Sequence, residues 1–194
     1  VVVADPYGKE MGYTLPRLRA DIVTISHPHP GHNYLKGVRG TPKLIDGPGE
    51  YEIQGVFITG IASYHDRWKG RDRGKNTIYL FDFEGLTICH LGDLGQVPTQ
   101  SQVEDLSDID ILLVPVGSHT TINAAEASEV ISLLEPRVVI PMHYRTEAMG
   151  GSPLDSVDRF LKVMGVKGTP QESLNVTKGT LPDDMEVVVL GSRG

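Results

Sequence analysis

The sequence predicts an α/β fold, and three observations predict it. The first half is rich in short apolar runs separated by Gly and Pro. The second half alternates such runs with segments of helical period, and several of the runs end in His or Asp. At 194 residues the chain reads as one domain, residues 1–194, long enough to bury a core.

Val1-Val2-Val3 and Ile22 to Ile25 have the continuous apolar character of buried strands. Lys43 to Ile45, Tyr51 to Ile53 and Val56 to Ile61 form a strand group, punctuated by Gly47-Pro48-Gly49 and Gln54-Gly55. Ile78 to Phe83 and Leu86 to His90 flank Glu84-Gly85, a two-residue hairpin signal. Ile109 to Val116 is a further strand. Asn123 caps a helix with Glu126 three residues on, and Ala127, Val130, Ile131 and Leu134 make its apolar face before Pro136 ends it. Ser152-Pro153 opens a second helix with Leu154, Val157, Leu161 and Met164 inward and Gly165 after its end. Val187 to Leu190 is the last strand.

The densest chemistry lies in His27-Pro28-His29-Pro30-Gly31-His32, directly after the strand at Ile22. In extended chain, residues two apart point the same way, so His27 and His29 reach one point. The prolines and Gly31 then bend the backbone and return His32 toward the same place. Neutral imidazole is the commonest metal ligand, so three in six residues indicate a metal site rather than three unrelated surface histidines. Later strands lead to His65, Asp93 and His143, which is how α/β scaffolds gather ligands from distant sequence. Zinc accepts His and Asp in such positions, and a catalytic zinc keeps one position open for water.

In this order and spacing the motifs resemble the metallo-β-lactamase superfamily, in the branch of small bacterial metal-dependent hydrolases similar to the ascorbate-6-phosphate lactonase-like proteins. His90-Leu91-Gly92-Asp93 is similar to that branch's HAGD, and Val139-Ile140-Pro141-Met142-His143-Tyr144 to its VPxHY. Val114-Pro115-Val116-Gly117 with Thr121-Ile122 resembles its PxG…TM segment, and Ala4-Asp5-Pro6 its early DP. The likeness runs from Asp5 to about Tyr144. It implies a four-layer αβ/βα sandwich with metals at one edge between the sheets. Branch members carry a short strand pair ahead of the DP motif, so those N-terminal strands are expected to be missing here.

The resemblance also implies roles. His27, His29 and His65 would hold a first metal; His32, Asp93 and His143 a second, with Asp93 bridging. The metal would be zinc, one or two ions, with manganese as the alternative, and metal-bound hydroxide would attack the substrate. The family pattern is HxHxDH, and Gly31 stands where its Asp belongs. That departure removes a second-metal ligand, weakens that site, and opens the alternative of a non-catalytic metal-binding or structural member of the same fold. Asp5 is expected to brace the His27 loop by hydrogen bonding. His90 is expected to orient a ligand from behind, and His119, in Gly117-Ser118-His119-Thr120, either to act with Asp93 in catalysis as a proton shuttle or to stand as a solvent histidine.

Charge and composition bound the partners. The net charge of −7 argues against a nucleic-acid binder working through its overall field. A nuclease of this superfamily would also carry a clamp domain or a long basic arm. Cys89 is the one cysteine, within an apolar strand, so a disulfide framework is excluded. No apolar run reaches the length of a membrane span and no signal peptide is visible, so a cytoplasmic location and no membrane partner are expected. The expected partner is a small-molecule substrate, with a homo-oligomer also possible. Arg67, Lys69, Arg71, Arg73 and Lys75, set against Asp66 and Asp72, make a basic loop beside His65 that would draw an anionic ester, lactone or phosphoester. The alternative for this loop is a solvated charge run, against which stands Trp68, costly to expose without a partner.

Overall fold

Two sheets of unequal size face each other in the computed structural model, which describes residues 1–191. Strands β1 (Val2–Ala4), β2 (Ile22–Thr24) and β3 (Lys43–Ile45) form a small parallel sheet in the order β1-β2-β3. The large sheet comprises β4 (Gly49–Ile53), β5 (Val56–Tyr64), β6 (Lys75–Phe83), β7 (Leu86–His90), β8 (Ile111–Pro115), β9 (Val138–Met142) and β10 (Glu186–Val187), in the order β10-β9-β8-β7-β6-β5-β4. Its β4–β7 part is an antiparallel meander and its β7–β10 part is parallel. The meander turns at Gln54-Gly55 and Glu84-Gly85, where both residues have positive φ, as a two-residue turn matched to strand twist requires. The parallel part needs crossovers, and helices α1 (Gln100–Asp105), α2 (Ala124–Leu134) and α3 (Val157–Met164) supply them.

The helices pack on one face of the large sheet. Val130, Ile131 and Leu134 of α2 and Phe160 and Leu161 of α3 share a core with Cys89, Leu112, Val114 and Val139. On the opposite face, Ile58, Tyr79 and Phe81 meet Ile22 and Ile45 of the small sheet. The outer face of the small sheet is covered by Leu18, Ala20 and Val38 against Val3, Val23 and Ile25. The α/β sandwich is therefore as expected, but helices do not flank both faces. Among the described residues the fourth layer is irregular chain with 3₁₀ turns at Lys9–Met11 and Leu35–Gly37. None of the helices is long and apolar enough to cross a membrane.

Several element boundaries differ from the sequence reading for identifiable reasons. Lys43–Ile45 pairs with β2, not with β4 and β5, because the chain changes sheet at Gly47-Pro48-Gly49. The last helix starts after Ser156 instead of at Ser152-Pro153. Asp155 donates its N–H to Gly117 O at 2.8 Å and accepts from Arg145 N–H at 2.9 Å, which holds that stretch extended. α1 was not anticipated, although its Thr99 and Gln102 form a capping box. The box read at Asn123 and Glu126 is present.

Three hydrogen bonds join the sheets at the edge where β2 ends. The buried Tyr79 hydroxyl donates to Ile25 O at 2.9 Å and to Ile45 O at 3.3 Å, and Thr77 N–H donates to Ser26 O at 2.8 Å. Removing the hydroxyl takes the Tyr79 bond from the Ile25 carbonyl at the start of the histidine loop, while Ile45 O keeps the Ile25 N–H. We expect Tyr79→Phe to destabilise the fold by about 1–3 kcal/mol, read as a fall in Tm of a few degrees by calorimetry.

Candidate metal centre

β2, β5, β7 and β9 all deliver their C-terminal ends to one edge of the sandwich, where α/β folds place ligands. His27, His29 and His32 follow β2, His65 follows β5, Asp93 follows β7 and His143 follows β9. Their side chains converge on one atom. Asp93 Oδ2 lies 3.2 Å from His143 Nε2, 3.3 Å from His65 Nε2, 3.5 Å from His32 Nε2 and 3.7 Å from His27 Nε2. Three ligand groups result: His27 with His65 and Asp93, His32 with Asp93 and His143, and His27 with His29 and His32.

Each member is held by specific neighbours. Ser26 Oγ donates its one proton to Asp5 Oδ2 at 2.5 Å, so its 2.9 Å bond to His27 Nδ1 is donated by the imidazole. That fixes the tautomer with its lone pair on Nε2, facing Asp93. Asp5 also accepts from Ser26 N–H at 2.7 Å and from His32 Nδ1 at 2.9 Å, which turns His32 Nε2 inward in the same way. Asp5 is thus the brace that was expected. His29 is the exposed member; its Nδ1 accepts from Gly31 N–H at 3.2 Å, and it joins only the group without Asp93.

Asp93 is placed by Asn76, which sequence reasoning missed. Asn76 Oδ1 accepts Asp93 N–H at 2.9 Å, while its Nδ2 donates to Leu91 O at 2.9 Å and to Ser63 Oγ at 2.7 Å. A buried Asn inside an apolar strand was the available signal, since Asn is disfavoured there without a polar task. Gly92, at φ +57°, makes the approach possible: a Cβ there would lie 2.6 Å from Ser26 Cβ. His143 itself sits at φ +53°, a left-handed conformation costly for a non-glycine residue and typical of functional sites.

Electrostatics suit cation binding. Burial alone would raise the Asp93 carboxyl, but His143, His32 and His27 around it hold it well below the usual carboxylate range. Burial pulls the His27 imidazole down to about 4, outweighing the attraction of Asp93, so it is neutral and ligand-ready at pH 7. Burial likewise lowers His65. His32 moves up despite its burial, through the Asp5 hydrogen bond and the charge of Asp93. The fit to a metal shows in one unspent lone pair: His27 Nε2, turned toward Asp93, is buried without a hydrogen-bond partner, a state that buried polar atoms avoid.

Two expected residues are not gathered. His119 is exposed at φ +53°, belongs to none of the ligand groups and lines neither of the cavities described beside them. His90 borders the cluster, but its Nδ1 is buried without a partner; among the described hydrogen bonds, those that set the ligands come from Asn76, Ser26 and Asp5.

Cavities flank the cluster on both sides. Toward β3 and β5, one of about 740 Å³ is bounded by His27, Asn33, Asp46, Tyr64, Arg73 and Lys75. Toward β1 and β9, one of about 360 Å³ is bounded by His32, Asp93 and His143. The basic loop is built around Asp66, whose carboxylate accepts the backbone N–H groups of Trp68, Gly70, Asp72 and Arg73 at 2.7–3.1 Å. Arg67 pairs with Glu126, and Arg71 lies over the exposed Trp68 ring and against Asp72. Only Arg73 and Lys75 of the five cations face the cavity beside His27.

Comparison with known proteins agrees with this geometry. A family profile described as a beta-lactamase superfamily domain matches residues 1–143. A UPF0173 metal-dependent hydrolase of Pyrococcus abyssi is 35% identical over 122 residues, 61% of this chain and only about half (52%) of that protein. One from Thermococcus onnurineus is 29% identical over 197 residues, covering 86% of this chain and 85% of the relative. Among solved structures, a Thermotoga maritima protein assigned to the metallo-beta-lactamase superfamily as a Zn-dependent hydrolase superposes with a TM-score of 0.81 at 40% identity, over 97% of this chain and 88% of that one. The histidine loop, the buried aspartate and the strand-end histidines thus stand in a recognised setting, and the chain belongs to the metallo-β-lactamase superfamily, among relatives that are metal-dependent hydrolases.

Proposed function

We propose that this chain hydrolyses a small ester, lactone or phosphoester bearing an anionic group, using one or two divalent cations held by His27, His29, His32, His65, Asp93 and His143. The observation that carries the reading is the convergence of four imidazole Nε2 atoms on Asp93 Oδ2. An imidazole and carboxylate donor set suits zinc, with manganese as a second choice. When bound, such a cation lowers the pKa of water toward neutrality and polarises the scissile group.

The protein's own part is to hold charge and geometry. Asp93 stays ionised among its imidazoles, so it orients the attacking water and balances cation charge; a group so acidic is a poor proton acceptor at neutral pH. Asp5, through Ser26 and His32, keeps lone pairs on His27 and His32 turned inward. Arg73 and Lys75 border the cavity next to His27 and supply its attraction for an anion. The gathering of six ligand-type side chains supports an enzyme over a non-catalytic member of the fold.

Asp93 belongs to two ligand groups, whereas His65 and His143 each complete one. Asp93→Ala is therefore expected to lose all tightly bound zinc in chelator competition, while His143→Ala keeps the His65-side ion and His65→Ala keeps the other. Equal stoichiometry in all three variants would contradict the shared role of Asp93. Exchanging Arg73 and Lys75 together for Gln should raise KM for anionic esters about five- to tenfold and leave neutral esters within twofold. The difference should shrink as salt shortens the Debye length from about 10 Å at 0.1 M to about 3 Å at 1 M. A loss that is independent of salt, or equal for neutral esters, would mean the loop acts by shape and not by field.

A further inference from the structure

The smaller cavity has a chemical character of its own. It touches His32, Asp93 and His143, yet no Lys, Arg or Glu lines it, and its two carboxylates, Asp5 and Asp93, are already engaged by imidazoles. Beside His90 and Thr146, the rest of its wall is mainly thioether, aromatic and aliphatic, with Met11, Met142, Met149, Tyr7 and Tyr13 prominent. Tyr7 and Tyr13 meet edge to face with ring centroids 5.9 Å apart. The Tyr13 hydroxyl joins the Thr146 hydroxyl, which ties the turn carrying Met11 to the loop after β9.

Met11 and Gly31 act as a unit in this wall. A Cβ at residue 31 would stand 2.8 Å from Met11 Sδ and 3.3 Å from Met11 Cε. The Met11 thioether therefore occupies the space that a side chain at residue 31 would otherwise share, next to His32. The absent side chain at Gly31 is more than a missing metal ligand; it turns one side of the cavity from polar to apolar.

We propose that Met11, seated against Gly31, is a specificity-determining residue that makes this cavity a pocket for an apolar, uncharged acyl or aryl group. The pocket sits across the cluster from Arg73 and Lys75, so a substrate spanning both would be amphiphilic, with an anionic end near His27 and an apolar end near His143. About 360 Å³ falls within the range of small-ligand pockets, and methionines adapt their shape to such groups. The proposal rests on the hydrolase reading only for its kinetic arm.

The test uses Met11→Gln, which keeps length and adds polarity, and Met11→Leu, which keeps the apolar character. Binding of benzyl alcohol, with glycerol as the polar control, is measured by saturation-transfer NMR on the purified full chain, alongside zinc stoichiometry and a thermal melt. We expect the wild type to bind benzyl alcohol over glycerol, Met11→Gln to weaken that binding about tenfold, and Met11→Leu to stay within twofold, all with the same zinc content. On the zinc-loaded protein the kcat/KM ratio for a hexanoyl over an acetyl ester should fall about tenfold in Met11→Gln alone, the size of effect expected for an apolar contact in a specificity pocket. Benzyl alcohol binding that is unchanged in Met11→Gln, lost equally in Met11→Leu, or no better than glycerol in the wild type would overturn the proposal. Binding that follows Met11 in a chain that hydrolyses neither ester would uphold the pocket and overturn only the carboxylic-ester form of the hydrolase reading.

Discussion

The buried negative charge of Asp93 is the constraint around which the rest of the edge is organised. Taking a carboxylate out of water costs several kcal/mol unless paired charge and hydrogen bonds offset it, and Asp93 is only 3% exposed. Four imidazoles from three separate loops surround it, and its backbone is fixed by Asn76 from a fourth segment. Each demand propagates. Gly92 must lack a side chain for Asp93 to reach its place, Ser26 must sit against Gly92, and Asp5 must hold Ser26. A chain of small steric and polar requirements therefore runs from β1 to β9 through one oxygen atom.

Much of this edge could be read from the amino acids alone, for a physical reason. Strand ends are marked locally by apolar runs and turn residues, and a ligand-type side chain at such an end has few other tasks. His27, His32, His65, Asp93 and His143 were legible on that basis, as was the Asn123 cap of α2. What could not be read depends on partners distant in the chain. Whether Lys43–Ile45 joins the small or the large sheet is decided by which strand lies alongside it, not by its own pattern. Ser152 to Asp155 carries helix-start residues but is held extended by Gly117 and Arg145. His119 shares the composition of the ligand loops, and nothing in its local sequence marks it as standing outside the ligand groups. Asn76 is the inverse case, a residue whose importance lies entirely in bonds to Ser63, Leu91 and Asp93.

The cavities give the edge a polarity that ligand identity alone would not reveal. Lys and Arg reach only the His27 side, and thioethers only the His143 side. The five cations of the Asp66 loop are not equivalent: with the backbone fixed by the carboxylate at its centre, Arg67 turns to Glu126, Arg71 to Trp68, and Arg73 and Lys75 to the cavity. Composition counts charges; the fold decides which of them a ligand meets.

The stitching of the two sheets has a mechanical consequence. His27, His29 and His32 move with the small sheet, whereas His65, Asp93 and His143 move with the large one. At this edge the sheets are linked by the Tyr79 hydroxyl, by the Thr77 to Ser26 hydrogen bond and by the approach of His27 and His32 to Asp93. A cation coordinated from both sides would act as a rivet between layers, adding stability by mass action with its concentration relative to its Kd. Sheet separation and metal release would then be one event seen from two directions: whatever loosens the sandwich ejects the ion, and whatever removes the ion lets the layers breathe.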